Sequence, residues 1–272
     1  MTQELTILKL GGALITDKSN PYTARPEIID SVSREIKDCM DEGLIQSLVI
    51  VQGVGSYGHP PVLEYKLYKG YHGEDQRLPL SWTQSKVNEL RTMVVDSLYN
   101  AEIPVCLIHP SSMMVSEKTK IAKHYLEPLE RYSALGMVIL IGGDLLTDSV
   151  MGWSVGSGDA LTVLIARELD AKRVIFASDV SGIYDSDPKL NPDANLFDEI
   201  NLNDIEDVLE KMGASGVVDA SGTMKGKLSS IEPIKDMIEK ELEVSILSMM
   251  ESGNLMALLK GDKSKSTQIV VK

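Results

Sequence analysis

Short, unbroken apolar runs alternate along this chain with longer amphipathic stretches. No other feature narrows the possible fold as much. The apolar runs lie at 6–10, 47–52, 105–108, 138–141, 173–177, 244–247 and 268–271. Strands covered on both faces read this way. Helical periodicity marks 26–42, 80–101, 159–170, 202–212, 228–241 and 253–259, with Pro26 placed for a first helical turn. Such alternation predicts an α/β fold with an open, mostly parallel central sheet sandwiched between helices. A length of 272 residues suits one such domain. A soft boundary near residue 170 separates an N-terminal from a C-terminal lobe.

In sheets of this kind ligands gather at the carboxyl ends of the strands. Here those ends carry Gly11-Gly12, the 53–59 loop, Gly142-Gly143-Asp144 and Ser178-Asp179. The loop Gly53-Val54-Gly55-Ser56-Tyr57-Gly58 has the glycine spacing of a dinucleotide fingerprint. His59-Pro60-Pro61 follows it, however, where a fingerprint would open a helix. A residue before proline is pushed out of helical geometry, so the loop is expected to stay open. It then offers backbone N–H groups to an anion, with an imidazole alongside. That suits a small phosphorylated substrate better than NAD.

Composition restricts the partners. The formal net charge of −13 argues against nucleic acid, because phosphate backbones need basic surface. An anionic substrate would need a local basic pocket. Only two cysteines, Cys39 and Cys106, argue against a disulfide framework or a zinc site and fit a reducing cytosol. No apolar run reaches the ~18 residues of a membrane span. No signal peptide is visible, so a cytoplasmic location is expected.

Several motifs carry candidate chemistry, each with an ordinary alternative. Lys9 precedes the Gly11-Gly12 turn and Lys18 follows it, as a polyphosphate site or a plain turn between solvated lysines. No Walker A sequence occurs. Asp144 could orient a lysine, reach magnesium or cap a turn. Ser157-Gly158-Asp159 opens a helix, where an N-cap and a bound anion are compatible. The 178–195 stretch, rich in Asp, Pro and Asn, reads as a long functional loop.

In order and spacing together, these motifs resemble those of the amino acid kinase superfamily, and most closely its isopentenyl phosphate kinase branch. The opening K-[IL]-G-G-S corresponds to Lys9 through Ala13, and T-D-K to Thr16-Asp17-Lys18. G-x-G-S-[FY]-G-H corresponds to Gly53 through His59 and singles out the branch. Thr83 and Val87 match T-x-x-x-V, and His109 to Ser112 match P-P-S-S. G-D, S-G-D, D-V-x-G-[VI]-Y and D-P-K stand at 143–144, 157–159, 179–184 and 187–189. T-G-G-M-x-x-K corresponds to Ser221 through Lys227. The likeness covers roughly residues 5 to 270.

The resemblance implies ATP, with Mg2+, across the C-terminal lobe near Asp179, Tyr184, Thr223 and Lys227. It implies that Lys9, Lys18 and Lys227 neutralise the β- and γ-phosphates, with Gly11, Gly12, Ala13 and Gly55 beside them. It places the acceptor phosphate at Val54, Gly58, His59 and Gly158. Asp144 would hold the lysines, and no residue is assigned as a metal ligand. The expected reaction is phosphorylation of isopentenyl phosphate in isoprenoid synthesis by a cytoplasmic homodimer. A fosfomycin-type kinase of another small phosphate or phosphonate, and a non-catalytic nucleotide-binding relative, are the alternatives. Four positions depart from the family pattern: Gln52 replaces histidine, Val54 a small residue, Ala13 serine and Thr223 glycine. An apolar stripe at Trp82, Val87, Leu90, Met93 and Val94 could receive an alkenyl tail or belong to the core.

Overall fold

A computed structural model describes residues 4–205 and 223–272. Its main sheet contains β1 (Leu5–Leu10), β2 (Ser47–Gln52), β3 (Val105–Leu107), β6 (Val138–Gly142), β9 (Arg173–Ser178), β10 (Glu199–Asn201), β11 (Glu243–Ser248) and β12 (Ser266–Val270). The strand order is β10-β12-β11-β9-β1-β2-β6-β3, and only the β11–β12 pair is antiparallel. Along β2, Leu48 and Ile50 enter one buried layer while Val49 and Val51 enter the other. Burial of both faces explains why each strand reads as a continuous apolar run.

Helices cover the sheet. They are α1 (Gly12–Ile15), α2 (Pro26–Asp41), α3 (Gly55–Glu64), α4 (Arg77–Asn100), α5 (Glu127–Ala134), α6 (Gly158–Glu168), α7 (Thr223–Ile231), α8 (Lys235–Ile238) and α9 (Asn254–Lys260). A buried carboxylate ties α2 to α9: Glu35 accepts the N–H groups of Leu255 and Met256 at 2.8 and 3.1 Å. It satisfies donors at the start of α9 that the helix itself leaves unpaired.

Two expectations need correction. The 53–59 loop does run into a helix, α3, with Pro60 and Pro61 inside it. Pro60 removes the N–H that would bond the Ser56 carbonyl, and that carbonyl accepts the Tyr22 N–H at 3.1 Å instead. The helix expected at 228–241 is broken into α7, a 3-10 turn at Glu232–Ile234 and α8, with Pro233 in the turn. The helix expected at 202–212 falls largely outside the described residues: a 3-10 turn spans Leu202–Asp204, Ile205 is helical, and 206–212 are not described.

A second sheet has no counterpart in the sequence reading. It is formed by β4 (Met114–Glu117), β5 (Lys120–His124), β7 (Asp144–Asp148) and β8 (Gly152–Gly156), in the order β5-β4-β7-β8. Asp148 is its hub. Its carboxylate accepts the N–H groups of Lys118, Thr119, Val150 and Met151 at 2.9–3.2 Å. Lys118 and Thr119 form the β4–β5 turn with φ of 47° and 71°, a left-handed geometry that Asp148 helps to offset. Burial works to raise the Asp148 carboxyl, but these donors outweigh it and hold it far below the usual carboxylate range.

Candidate active site

Four neighbouring parallel strands, β9, β1, β2 and β6, end side by side. Their loops carry Ser178-Asp179, Gly11-Gly12, Gly53–Gly58 and Gly142-Gly143. The two middle loops touch through their backbones. A Cβ on Gly12 would lie 2.5 Å from the Gly55 backbone, and Gly55 has φ +48°. Only glycine permits this approach. Thr16 reinforces it: its hydroxyl donates to the Gly12 carbonyl at 2.6 Å and accepts the Ser56 N–H at 3.0 Å.

Lys9, at the end of β1, is 8% exposed, and its Nζ sits 2.8 Å from Asp159 Oδ1. Ser157 takes the N-cap of α6, accepting the Asp159 N–H at 3.2 Å, which leaves the Asp159 carboxylate for Lys9. Gly158 lies between them, and a Cβ there would meet Lys9 Cε at 3.8 Å. Lys18 is exposed on the 16–25 loop. His59 is exposed in α3, yet neighbouring atoms desolvate its ring enough to lead a downward pKa shift, with Lys18 and Lys9 adding to it. The imidazole and two lysines thus form a local basic site within an acidic chain. Among the described residues the N–H groups of Gly12 and Ala13 have no protein acceptor, which leaves them open to an anion.

Asp144 occupies a different place from the one expected. The carboxylate on Lys9 is Asp159. Asp144 instead faces Arg91 at 3.6 Å and accepts the Leu145 N–H at 2.9 Å. Arg91, from α4, is 1% exposed. Its guanidinium donates to the Gly143 carbonyl at 2.7 Å, the Gly142 carbonyl at 3.4 Å and Asn88 Oδ1 at 2.8 Å, and it contacts His109 Nδ1 at 3.2 Å. Burial lowers the pKa of Arg91, opposed by Asp144, and that of His109, with Arg91 adding to the drop. Arg91 thus holds two successive carbonyls at the end of β6. Sequence reading missed Arg91. Its signal was a charged residue at the buried spacing of Val87, Leu90 and Val94.

An apolar pocket opens beside the basic site, lined by Val54, Gly58, Val62, Thr83, Val87 and Leu145 among others. Val54 fills the notch that Gly58 leaves, since a Cβ on Gly58 would lie 2.5 Å from Val54 Cγ2. Of the apolar stripe on α4, only Val87 reaches this pocket. Leu90 and Val94 are core, while Trp82 and Met93 are exposed. Gln52 is buried below, and neither atom of its amide has a partner among the described residues.

On the other flank, burial works to raise the Asp179 carboxyl, but an ion pair with Lys189, helped by Lys18, holds it below the ordinary range. Tyr184 pairs with Leu196 at the base of the 185–195 loop. Thr223 and Lys227 lie on α7, and their side chains are outside the described part, as are residues 219–222. Among the described residues no group of three or more His, Cys, Asp or Glu could hold a metal, and no helix is long and apolar enough to cross a membrane.

Comparison with known proteins agrees with this geometry. The sequence pattern of the Amino acid kinase family matches residues 4–245. The isopentenyl phosphate kinase of Methanothermobacter thermautotrophicus is 32% identical, over 98% of this chain and 100% of its own. That of Methanocaldococcus jannaschii is 30% identical, over 85% of this chain and 88% of its own. A crystallographic isopentenyl phosphate kinase superposes with a TM-score of 0.80 at 30% identity, covering 98% of this chain and 100% of the other. With its three glycine-bearing strand ends and a match over most of its length, this chain belongs to the amino acid kinase family.

Proposed function

We propose that this protein transfers the γ-phosphoryl group of ATP to isopentenyl phosphate, giving isopentenyl diphosphate and ADP. One observation carries the reading: the basic groups His59, Lys18 and Lys9 gather beside an apolar pocket walled by Val54, Gly58 and Val87. A small phosphate with a hydrocarbon tail has those two ends. Near-full-length similarity to proteins named isopentenyl phosphate kinase supports it.

An oxygen of the acceptor phosphate attacks the γ-phosphorus. The new P–O bond forms as the bond to the β–γ bridging oxygen breaks, and ADP leaves with that electron pair. The acceptor is already ionised near neutral pH, so no general base is needed. Catalysis rests on aligning two anions and cancelling their repulsion. Lys9, Lys18 and Lys227 serve the β- and γ-phosphates, with N–H groups at Gly11, Gly12, Ala13 and Gly55. Asp179, Tyr184 and Thr223 serve the nucleotide. Val54, Gly58, His59 and Gly158 hold the acceptor phosphate. Burial, Lys18 and Lys9 lower the pKa of His59, and an arriving dianion works against them by favouring the protonated imidazole.

Mg2+ fits as an ion brought by the nucleotide, because it keeps waters and needs few protein carboxylates. Asp159 and Asp179 are the carboxylates at hand. The lobe up to about residue 170 takes the acceptor and the lobe beyond it takes ATP. A cytoplasmic homodimer completes the proposal.

The test is ATP- and magnesium-dependent ADP release with isopentenyl, dimethylallyl and geranyl phosphates, fosfomycin and a blank. Isopentenyl phosphate is expected to give the fastest turnover. No turnover with it would sink the proposal, and preference for fosfomycin would redirect it. His59→Ala should lower acceptor turnover about 10²–10³-fold while nucleotide still binds. Parallel loss of nucleotide binding would contradict the role.

A further inference from the structure

Ser56 spends every polar group it has on the loop that carries Lys18. Its N–H donates to Thr16 Oγ1 at 3.0 Å. Its carbonyl accepts the Tyr22 N–H at 3.1 Å. Its hydroxyl accepts the Thr23 N–H at 3.2 Å and donates to the Thr23 carbonyl at 3.3 Å. Ser56 is 3% exposed and lies in the first turn of α3, three residues before His59.

The 16–25 loop is also closed on itself. Thr16 bridges Ala24, and the Asp17 N–H bonds the Thr23 carbonyl at 2.9 Å. Lys18 therefore sits on a small closed loop tied to α3 chiefly through Ser56, with a bond between the Ala24 backbone and the Tyr57 hydroxyl beside it. Tyr22, held at φ 55°, adds an edge-on contact with Tyr57, their ring centroids 6.1 Å apart.

Pro60 makes this joint possible. In an uninterrupted helix the Ser56 carbonyl would bond the N–H of residue 60. Proline has none, and its ring pushes that carbonyl outward. The freed acceptor is the one that Tyr22 uses. The same proline follows His59 directly.

We propose that Ser56 and Pro60 are positioning residues: together they form a hydrogen-bonded joint that fixes Lys18 at a set distance from His59. The inference rests on the proposed function, in which Lys18 meets the transferred phosphoryl group and His59 the acceptor. In-line transfer depends on that spacing, and a misplacement of about 1 Å can cost on the order of 100-fold in rate.

The joint can be read without any substrate, because the charged groups acting on His59 are Lys18 and Lys9. The experiment follows the His59 ring by NMR through a pH titration of the free protein, in wild type, Lys18→Met, Ser56→Ala and Pro60→Ala. It is accompanied by thermal unfolding and by kcat and KM with ATP and isopentenyl phosphate. Removing the Lys18 charge is expected to raise the His59 pKa. Ser56→Ala and Pro60→Ala should move it part of the way in the same direction. They should also lower kcat by up to about 100-fold, with a smaller change in acceptor KM and unfolding midpoints near wild type.

The proposal fails if Lys18→Met shifts His59 while Ser56→Ala and Pro60→Ala leave it in place. It fails equally if Lys18→Met itself has no effect, since Lys18 is then not held opposite the imidazole. Should Ser56→Ala not fold, Pro60→Ala decides alone. A wrong choice of acceptor would show as absent turnover in every protein, with the NMR shifts unaffected, so the two failures can be told apart.

Discussion

The two sheets of this protein are held together by different means. In the eight-stranded sheet the central strands are apolar on both faces, and Ile7, Val49, Ile50 and Ile139 have no exposed surface. Burial alone organises that platform. In the four-stranded sheet, β4 alternates buried and exposed residues and β5 is mostly exposed. One carboxylate, Asp148, gathers the β4–β5 turn and the β7–β8 turn. A sheet with a large apolar interior tolerates local change, whereas one organised by a single polar hub concentrates its stability in one residue. Arg91 sits at the seam, bonding Gly142 at the end of β6 and facing Asp144 at the start of β7.

The seam should be the most sensitive point. Arg91→Met leaves Asp144 buried without its cation and is expected to cost about 3–5 kcal/mol in urea unfolding. A loss under 1 kcal/mol would mean that the two sheets do not depend on this pair. Asp148→Ala comes next, at about 2–3 kcal/mol, because four N–H groups lose their acceptor. A conservative Asp148→Asn tests the charge itself. The folded-state pKa of Asp148 is depressed, so its stabilisation is present above the ordinary carboxylate pKa of about 4 and is lost as pH falls below it. Wild type should therefore lose stability in that acid window and Asp148→Asn should lose less. Identical acid profiles would remove the hub role. The smallest expected effect has the opposite sign. Gln52→Leu replaces an unpartnered buried amide in the main sheet and should gain about 1 kcal/mol. A loss instead would show that a bound water satisfies the amide.

The same contrast explains what could be read from the sequence. All seven expected strands are present in the main sheet, since continuous apolar runs are the direct mark of two-sided burial. β10, only Glu199–Asn201, was too short to register. The four strands of the second sheet left no such mark: β4 alternates, β5 is mostly exposed, the apolar residues of β7 and β8 are few, and Asp148, which joins their turns, is a single acidic residue among many. At the candidate site, the glycines and Lys9 were legible from their places at strand ends, and Lys18 and His59 from their short distance beyond two of those ends. The pairing of Lys9 with Asp159, and of Asp144 with Arg91, was not. Which carboxylate meets which cation depends on how α6 and α4 lie over the sheet, and spacing along the chain does not encode that. The open reading of the 53–59 loop failed because a local rule about proline was outweighed. The tertiary bond from Tyr22 supplies what the helix loses at Pro60.

Glu35 also bears on the order in which the chain matures. Its carboxylate reaches Leu255 across 220 residues of sequence. β1 lies at the middle of the sheet between β2 and β9, and β9 follows it much later in the chain. A nascent chain that has made only its first half therefore holds a central strand with one open edge and an acidic group awaiting its donors. Pairings this distant slow folding. Completion of the native state must wait for α9, which carries the N–H groups that Glu35 accepts.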